Sequence, residues 1–195
     1  MDARVIEFQC IMPMANIPSV LKHGILSNER AAKLKHYSVA MQEMQDKRDT
    51  KQVPGGLKLH QYANLYFHAR NPMLYKRKDE AGALCVLRVK LGVLKSAGVV
   101  ITDRNAASDY VRFLAPSQVD LLDFDDIYAA DWRHPNNPFA FYAHKSRKCA
   151  EVLVPHCVEP GFITGAYVMD KAAAGKLTAT GFDLAITVDS DMFFH

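Results

Sequence analysis

Apolar residues in this chain come in short runs and never in a long one. Residues 5–11, 83–91, 99–102, 151–154, 162–168 and 182–188 gather β-branched, aromatic and small apolar side chains between turn-forming neighbours. Such runs read as strands. No window reaches the roughly 18 consecutive apolar residues of a membrane span. A chain built this way has to bury short strands against one another and against short helices. Residues 64–68 add a short aromatic strand.

The helical signals fall irregularly between these strands. Asn16 precedes an apolar stripe of Ile17, Val20, Leu21 and Ile25, with Pro18 near its start and Gly24 after its last turn. A second helix is expected from Ser27 or Asn28 through Ala31, Leu34 and Lys35, with Val39, Met41 and Met44 extending it. Ser117, Val119, Leu121 and Leu122 suit a short helix, and Asp170 can cap residues 171–177. The irregular order predicts an α+β fold rather than a doubly wound α/β sheet. Two stretches read as loops: 45–58, polar and basic around Gly55-Gly56 and expected to be mobile, and 131–140, DWRHPNNPFA. With 195 residues, 49% of them hydrophobic, the chain suits a single domain over 1–195.

Net charge is +3, but it is unevenly spread. Residues 1–100 hold 16 Lys and Arg against 8 Asp and Glu, whereas residues 101–195 hold 8 against 13. A basic half fits an anionic partner such as a nucleotide or nucleic acid, and equally fits solvated helix faces. The four cysteines, Cys10, Cys85, Cys149 and Cys157, form no CxxC pair, so no metal is expected. Cys85 lies within an apolar run and reads as a buried small hydrophobe. The opening MDARVIEF lacks a basic segment followed by a long apolar one, and a cytoplasmic protein with reduced thiols is the expectation.

Familiar catalytic signatures are absent: the sequence has no GxGxxG, GxxxxGK[ST], HExxH or GxSxG. Two segments carry chemistry instead. LHQYANLYFHARNPMLY, 59–75, concentrates rings, two histidines and Arg70, a guanidinium suited to a carboxylate, a phosphate or a base edge. On spacing alone it reads first as a core strand with tyrosine hydroxyls at the surface. SRKCAEVLV, 146–154, carries Glu151 into an apolar strand. A charge there is costly unless it is paired, exposed at an edge, or part of a site.

In order, NIPSVLKHGIL, LHQYANLYFHARNPMLY, VVITDRNAA, DWRHPNNP and CAEVLVPHCV resemble the DarT family of DNA ADP-ribosyltransferase toxins, a bacterial and phage-defence group, over nearly the whole chain. The resemblance implies a PARP-like ADP-ribosyltransferase fold with split antiparallel sheets. It implies cleavage of NAD+ at the nicotinamide bond, transfer of ADP-ribose to a base in single-stranded DNA, and a DarG-like macrodomain antitoxin as partner. NAD+ enters as substrate, with no metal. Glu151 matches the catalytic glutamate, whose carboxylate can hold the ribose 2′-OH and stabilise an oxocarbenium-like transition state. Arg70 matches the second catalytic position, at the base and NAD+; a guanidinium is a poor proton acceptor, which favours an electrostatic role.

The resemblance also places Met12, Pro13, Met14, His60 and Tyr62, with Arg70, at the cofactor. Lys47, Arg48 and Lys51 of the basic loop, together with Trp132, His134 and Tyr142, are assigned to nucleic acid, the rings by stacking. One position departs from the pattern. Pro13 stands where the family usually has a histidine that contacts NAD+. Proline supplies no side-chain donor, leaving the Met12 and Met14 backbone, or a neighbour such as His23 or His36. An RNA or protein acceptor, and a non-catalytic nucleotide-binding domain, remain the alternatives.

Overall fold

The computed structural model describes residues 1–38 and 42–194. Chain order is β1 (Phe8–Pro13), α1 (Ile17–His23), β2 (Ile25–Leu26), α2 (Asn28–Ala31), α3 (Gln42–Asp49), β3 (Tyr62–Tyr66), α4 (Pro72–Lys76), β4 (Leu84–Val89), β5 (Val100–Thr102) and β6 (Phe113–Leu114). It continues with α5 (Phe124–Tyr128), α6 (Pro138–Arg147), β7 (Glu151–Pro155), β8 (Cys157–Val158), β9 (Ile163–Val168), α7 (Lys171–Ala179) and β10 (Ala185–Val188), with short 3₁₀ turns between. Eight strands form one sheet in the order β10-β9-β4-β1-β3-β7-β5-β6, antiparallel except for β9 and β10. Strands β2 and β8 make a separate antiparallel pair. The α+β expectation therefore holds.

Central strands are buried on both faces, which is why their sequences read as apolar runs. In β4, Cys85, Leu87 and Val89 enter one core cluster while Leu84 and Val86 enter another, following the strand's period of two. The first face is covered by α1, α5 and α7 through Ile17, Val20, Phe124, Ile127, Ala173 and Leu177. Phe67 ties this layer together, edge-on to Phe8 at 5.3 Å and to Phe124 at 5.9 Å. The second face carries Ile11, Tyr66, Leu74, Cys149 and Phe193. Glu151 has the same parity in β7 as Leu153, opposite to the first-cluster residues Val152 and Val154.

The sheet is interrupted at its centre. Strands β1 and β4 pair along the whole of Phe8–Pro13, but β1 and β3 share one register, Gln9↔Tyr66. Beyond it β1 and β3 diverge, and a cleft opens between them. Gly24 closes α1 at the cleft's edge with φ +78°, and a Cβ there would lie 2.1 Å from the Val158 carbonyl oxygen, so only glycine fits.

The expectations for residues 27–61 and 131–140 need correction. Residues 42–49 are helical, although QEMQDKRD has no apolar stripe. The following 50–61 segment is not loose: Val53 and Leu59 are buried, Gln52 bridges Lys58, and the Tyr62 hydroxyl accepts the Leu57 N–H at 3.2 Å. The 131–140 loop gives way to a helix at Pro138, capped by the Asn137 side chain accepting from the Ala140 N–H. The helix after Ser27 ends at Ala31, and Val39 and Met41 lie outside the described residues.

Candidate active site

Glu151 is the first residue of β7, directly after the turn that ends α6. Its Cα partner across the sheet is Tyr66, and its backbone N–H donates to Thr102 Oγ1 at 3.0 Å. The side chain is 1% exposed. Three hydrogen bonds compensate this burial. Arg48 Nη1 donates to both carboxylate oxygens, at 3.2 and 3.1 Å, and the Ala106 N–H donates to Oε1 at 2.9 Å. A buried charge survives only with such partners.

Each partner is held in turn. Arg48 lies in the last turn of α3, and Nη2, its other terminal nitrogen, is buried with no hydrogen-bond partner among the described residues. Ala106 is presented by a turn anchored on Asp103, whose carboxylate accepts from the Arg112 backbone N–H, the Arg112 guanidinium and Arg104. Burial alone would raise the Asp103 pKa, but these donors outweigh it and hold the carboxyl below its usual range. Tyr66 stands beside Glu151; burial and then the negative charge of Glu151 push its phenol well up, so the ring stays neutral.

The cleft between β1 and β3 has a volume of ≈190 Å³. Its floor is Ile11, Met12, Pro13, Asn64 and Tyr66, with Arg48, Asn105 and Met73 at the Glu151 end. The far wall includes Leu34, His36 and Tyr37. Asn16 holds this wall: it donates to the Tyr37 carbonyl at 2.7 Å and accepts the Tyr37 N–H at 2.9 Å. Asn16 was expected to cap α1 with its side chain and makes no such bond.

Of the expected site residues, Glu151 takes up the predicted strand position, and Met12 and Pro13 line the cleft. Met14 is buried in the first core cluster, and Tyr62 is buried against Val53 and Leu59. His60 sits 3.4 Å from Asp49 and is not among the cleft residues. Arg70 is not brought to Glu151. It donates to the Asp191 and Ala130 carbonyls and lies 4.2 Å from the centre of the Phe194 ring, in a second hollow. The guanidinium at Glu151 is that of Arg48, which the sequence assigned to DNA phosphates.

Lys47 pairs with Glu43 at 2.9 Å, and Lys51 binds Asp109 and the Ser108 carbonyl. Trp132 lines the second hollow, His134 contacts His144 at 3.0 Å, and Tyr142 is 66% exposed. Of the two histidines offered in place of the missing one, His36 lines the cleft. His23 does not; its carbonyl accepts from the Cys157 thiol. Sequence reasoning missed Arg48 as the partner of Glu151, as well as Asn105, Ala106 and Tyr66. One signal pointed to the first: a buried glutamate demands a cation.

No group of three or more His, Cys, Asp or Glu side chains placed to hold a metal occurs among the described residues. Likewise, no described helix is long and apolar enough to cross a membrane.

Residues 10–194 match a family model described as ssDNA thymidine ADP-ribosyltransferase, DarT. A DNA ADP-ribosyl transferase-DNA ADP-ribosyl glycohydrolase fusion protein of Thermosipho africanus is 31% identical over 212 residues, covering all of this chain and 51% of that protein. The chain thus spans about half the length of this relative. DarT of Thermus sp. 2.9 in complex with ADP-ribosylated ssDNA superposes with a TM-score of 0.85 at 22% identity, covering 97% of both chains. The same protein in complex with NAD+ gives 0.82 at 20% identity, covering 100% of both. At those identities the two superpositions establish the fold. The family match begins within β1 and ends at the last described residue, so it contains the whole cleft and every group around Glu151: the chain belongs to the DarT family.

Proposed function

We propose that this chain transfers ADP-ribose from NAD+ to a thymidine base in single-stranded DNA, with the cleft between β1 and β3 as the NAD+ site and Glu151 as its catalytic carboxylate. The observation that carries the reading is the arrangement at Glu151. A buried carboxylate, fixed from two sides by Arg48 and the Ala106 N–H, lies directly behind Arg48, which together with the neighbouring Tyr66 and Asn105 lines an open cleft. Family membership and the printed ligands of the Thermus relative, NAD+ and ADP-ribosylated ssDNA, support the same reading.

The chemistry follows from that arrangement. Cleavage of the ribose C1′ to nicotinamide nitrogen bond leaves positive charge on the ribose and releases neutral nicotinamide. A carboxylate that accepts a hydrogen bond from the ribose 2′-OH stabilises that charge as it develops. Because Glu151 is already oriented, little reorganisation is needed at the moment of bond breaking. The thymine ring offers one N–H, whose nitrogen bonds to C1′ as its proton departs. The reaction as a whole yields nicotinamide, ADP-ribosylated DNA and one proton. A guanidinium is a poor proton acceptor, so Arg48 positions the carboxylate rather than taking that proton. Its Nη2, buried and without a hydrogen-bond partner among the described residues, is the donor we assign to an oxygen of the substrate.

His36 is the histidine among the described cleft residues, and we assign it the donor role that Pro13 cannot fill. Toxin behaviour, and reversal by a partner with glycohydrolase activity, belong to the same reading; the Thermosipho relative carries such an activity in fusion. Glu151→Ala is the test: with labelled NAD+ and a thymidine-containing single strand, transfer should fall by about 10²-fold or more. Near-wild-type transfer by a folded variant would remove Glu151 from the site.

A further inference from the structure

An asparagine stands in the middle of a strand that is otherwise aromatic and apolar. Strand β3 reads YANLY, with Tyr62, Ala63, Leu65 and Tyr66 buried and Asn64 half-buried between them. Strand interiors favour β-branched and aromatic side chains, and a polar group set among them needs a hydrogen-bond partner. Ladder pairing fixes where this one points. Asn64 lies opposite Leu153 and Tyr66 opposite Glu151, so the period of two sends all four side chains to one face of the sheet. On its other side β3 has parted from β1. Their single register is Gln9↔Tyr66, and two steps on, where Ile11 would face Asn64, the cleft has opened. Asn64 thus lines the cleft floor as the diagonal neighbour of Glu151, with Cα atoms about 7–8 Å apart.

Four asparagines are among the described residues that line the cleft, and three of them are engaged. Asn16 holds Tyr37 with both ends of its amide, Asn28 donates to Gln45 at 3.2 Å, and Asn105 accepts the Ala107 N–H at 2.8 Å. The Asn64 amide bonds no protein group among the described residues, and it shares the floor with the apolar Ile11, Met12 and Pro13.

A carboxamide offers an acceptor oxygen and two donor hydrogens, and the group that meets both at once is another carboxamide. We infer that Asn64 binds the primary carboxamide of the nicotinamide half of NAD+, donating to its carbonyl oxygen and accepting from its NH2. The inference rests on the ADP-ribosyl transfer reading above and deepens it. That reading gives Glu151 the ribose 2′-OH, and the pyridinium ring joins the same ribose at C1′. A carboxamide on that ring lies beyond the ribose by the width of one aromatic ring, comparable to the diagonal step from Glu151 to Asn64. Asn64 then grips the leaving group at its far edge and selects NAD+ over dinucleotides whose ring lacks the NH2.

The test compares NAD+ with its 3-acetylpyridine analogue, in which a methyl group replaces the NH2 and the carbonyl is kept. Transfer to a thymidine-containing single strand, and binding of each dinucleotide without DNA, are measured for the full chain. Asn64→Leu keeps the branched shape without the polar atoms, and Asn64→Ala removes both. Wild type should prefer NAD+ about 10-fold or more, in kcat/KM and in Kd. Asn64→Leu should lose about 10-fold with NAD+, chiefly in KM, and little with the analogue, so the preference collapses. Tm of both ligand-free variants should stay near wild type, because no protein hydrogen bond is removed.

A wild type that turns over both dinucleotides equally overturns the assignment of Asn64 and leaves transfer at Glu151 standing. So do folded variants that keep the preference. If neither dinucleotide is turned over, the transfer reading fails and the binding measurement decides Asn64 alone. A preference for NAD+ that both variants lose then supports it, and equal or absent binding overturns it. Variants that no longer fold would make Asn64 a residue of the fold and overturn the assignment too.

Discussion

Replacing Arg48 by alanine removes the cation from a carboxylate that water barely reaches. The two side chains are 10% and 1% exposed, and Arg48 Nη1 bonds both oxygens of Glu151. One donor would remain, the Ala106 N–H. Breaking a buried ion pair from one side costs about 3–5 kcal/mol. Arg48 also lines the open cleft, so water entering the vacated space would re-solvate the carboxylate. That puts the cost at the lower end, about 3 kcal/mol. A chain of this length loses roughly 2–4 °C in Tm per kcal/mol, so Tm should fall by about 6–12 °C. Adding Glu151→Gln should recover most of the loss, because a neutral amide needs no cation. Arg48→Lys keeps the charge but not the fork, so transfer should suffer more than stability. Thermal unfolding of wild type, both singles and the double mutant forms the cycle. If Arg48→Ala melts with wild type, or the double mutant loses the sum of the singles, the pair is not what holds Glu151.

Two further predictions follow from burial elsewhere. The His68 ring stacks on Tyr128 with Nδ1 buried and without a partner among the described residues; burial, then the charges of Lys148 and Arg70, lowers its pKa to about 4. The unfolded histidine, at 6.5, takes a proton first, so this contribution to stability is complete above pH 6.5 and is lost as pH falls through 4. It amounts to at most about 3 kcal/mol. His68→Gln should flatten the fall in urea midpoint between pH 7 and 4, and an unchanged acid limb would contradict the assignment. Burial pushes the Cys10 and Cys149 thiols up to about 12 and Cys85 higher still, whereas Cys157 is half-buried. A thiol reagent on the native protein should therefore label Cys157 alone, and all four after denaturation; rapid labelling of a second cysteine in the native state would refute the packing.

Strands were legible in this sequence because the sheet is covered on both faces, so β4, β7 and β9 keep nearly unbroken apolar runs. Glu151 was legible for the converse reason, a charge where such a strand begins. Helix α3 was not, because QEMQDKRD has no apolar face: the buried Arg48 turns inward to meet a charge, while Lys47 pairs with Glu43 on the outside. Helix α6 hid behind its prolines, although Asn137-Pro138 is itself a cap followed by a first-turn proline. Arg70 misled because adjacency to an aromatic strand says nothing of direction. The chain leaves β3 at Tyr66, and four residues later Arg70 lies at the Phe194 ring rather than at Glu151. Which arginine meets Glu151 is a long-range fact, set by residues 103 apart in the chain.

The central claim is tested most directly by the product itself. The protein is incubated with NAD+ labelled in its adenylate half and, separately, with a thymidine-containing single-stranded DNA, the same sequence without thymidine, the corresponding RNA and a protein mixture. Products are then fragmented by mass spectrometry. Label on the first strand alone, as one ADP-ribose unit attached to a thymine base, is the predicted result. Label on RNA or protein, attachment to another base, or no transfer by protein that binds NAD+ would contradict the account.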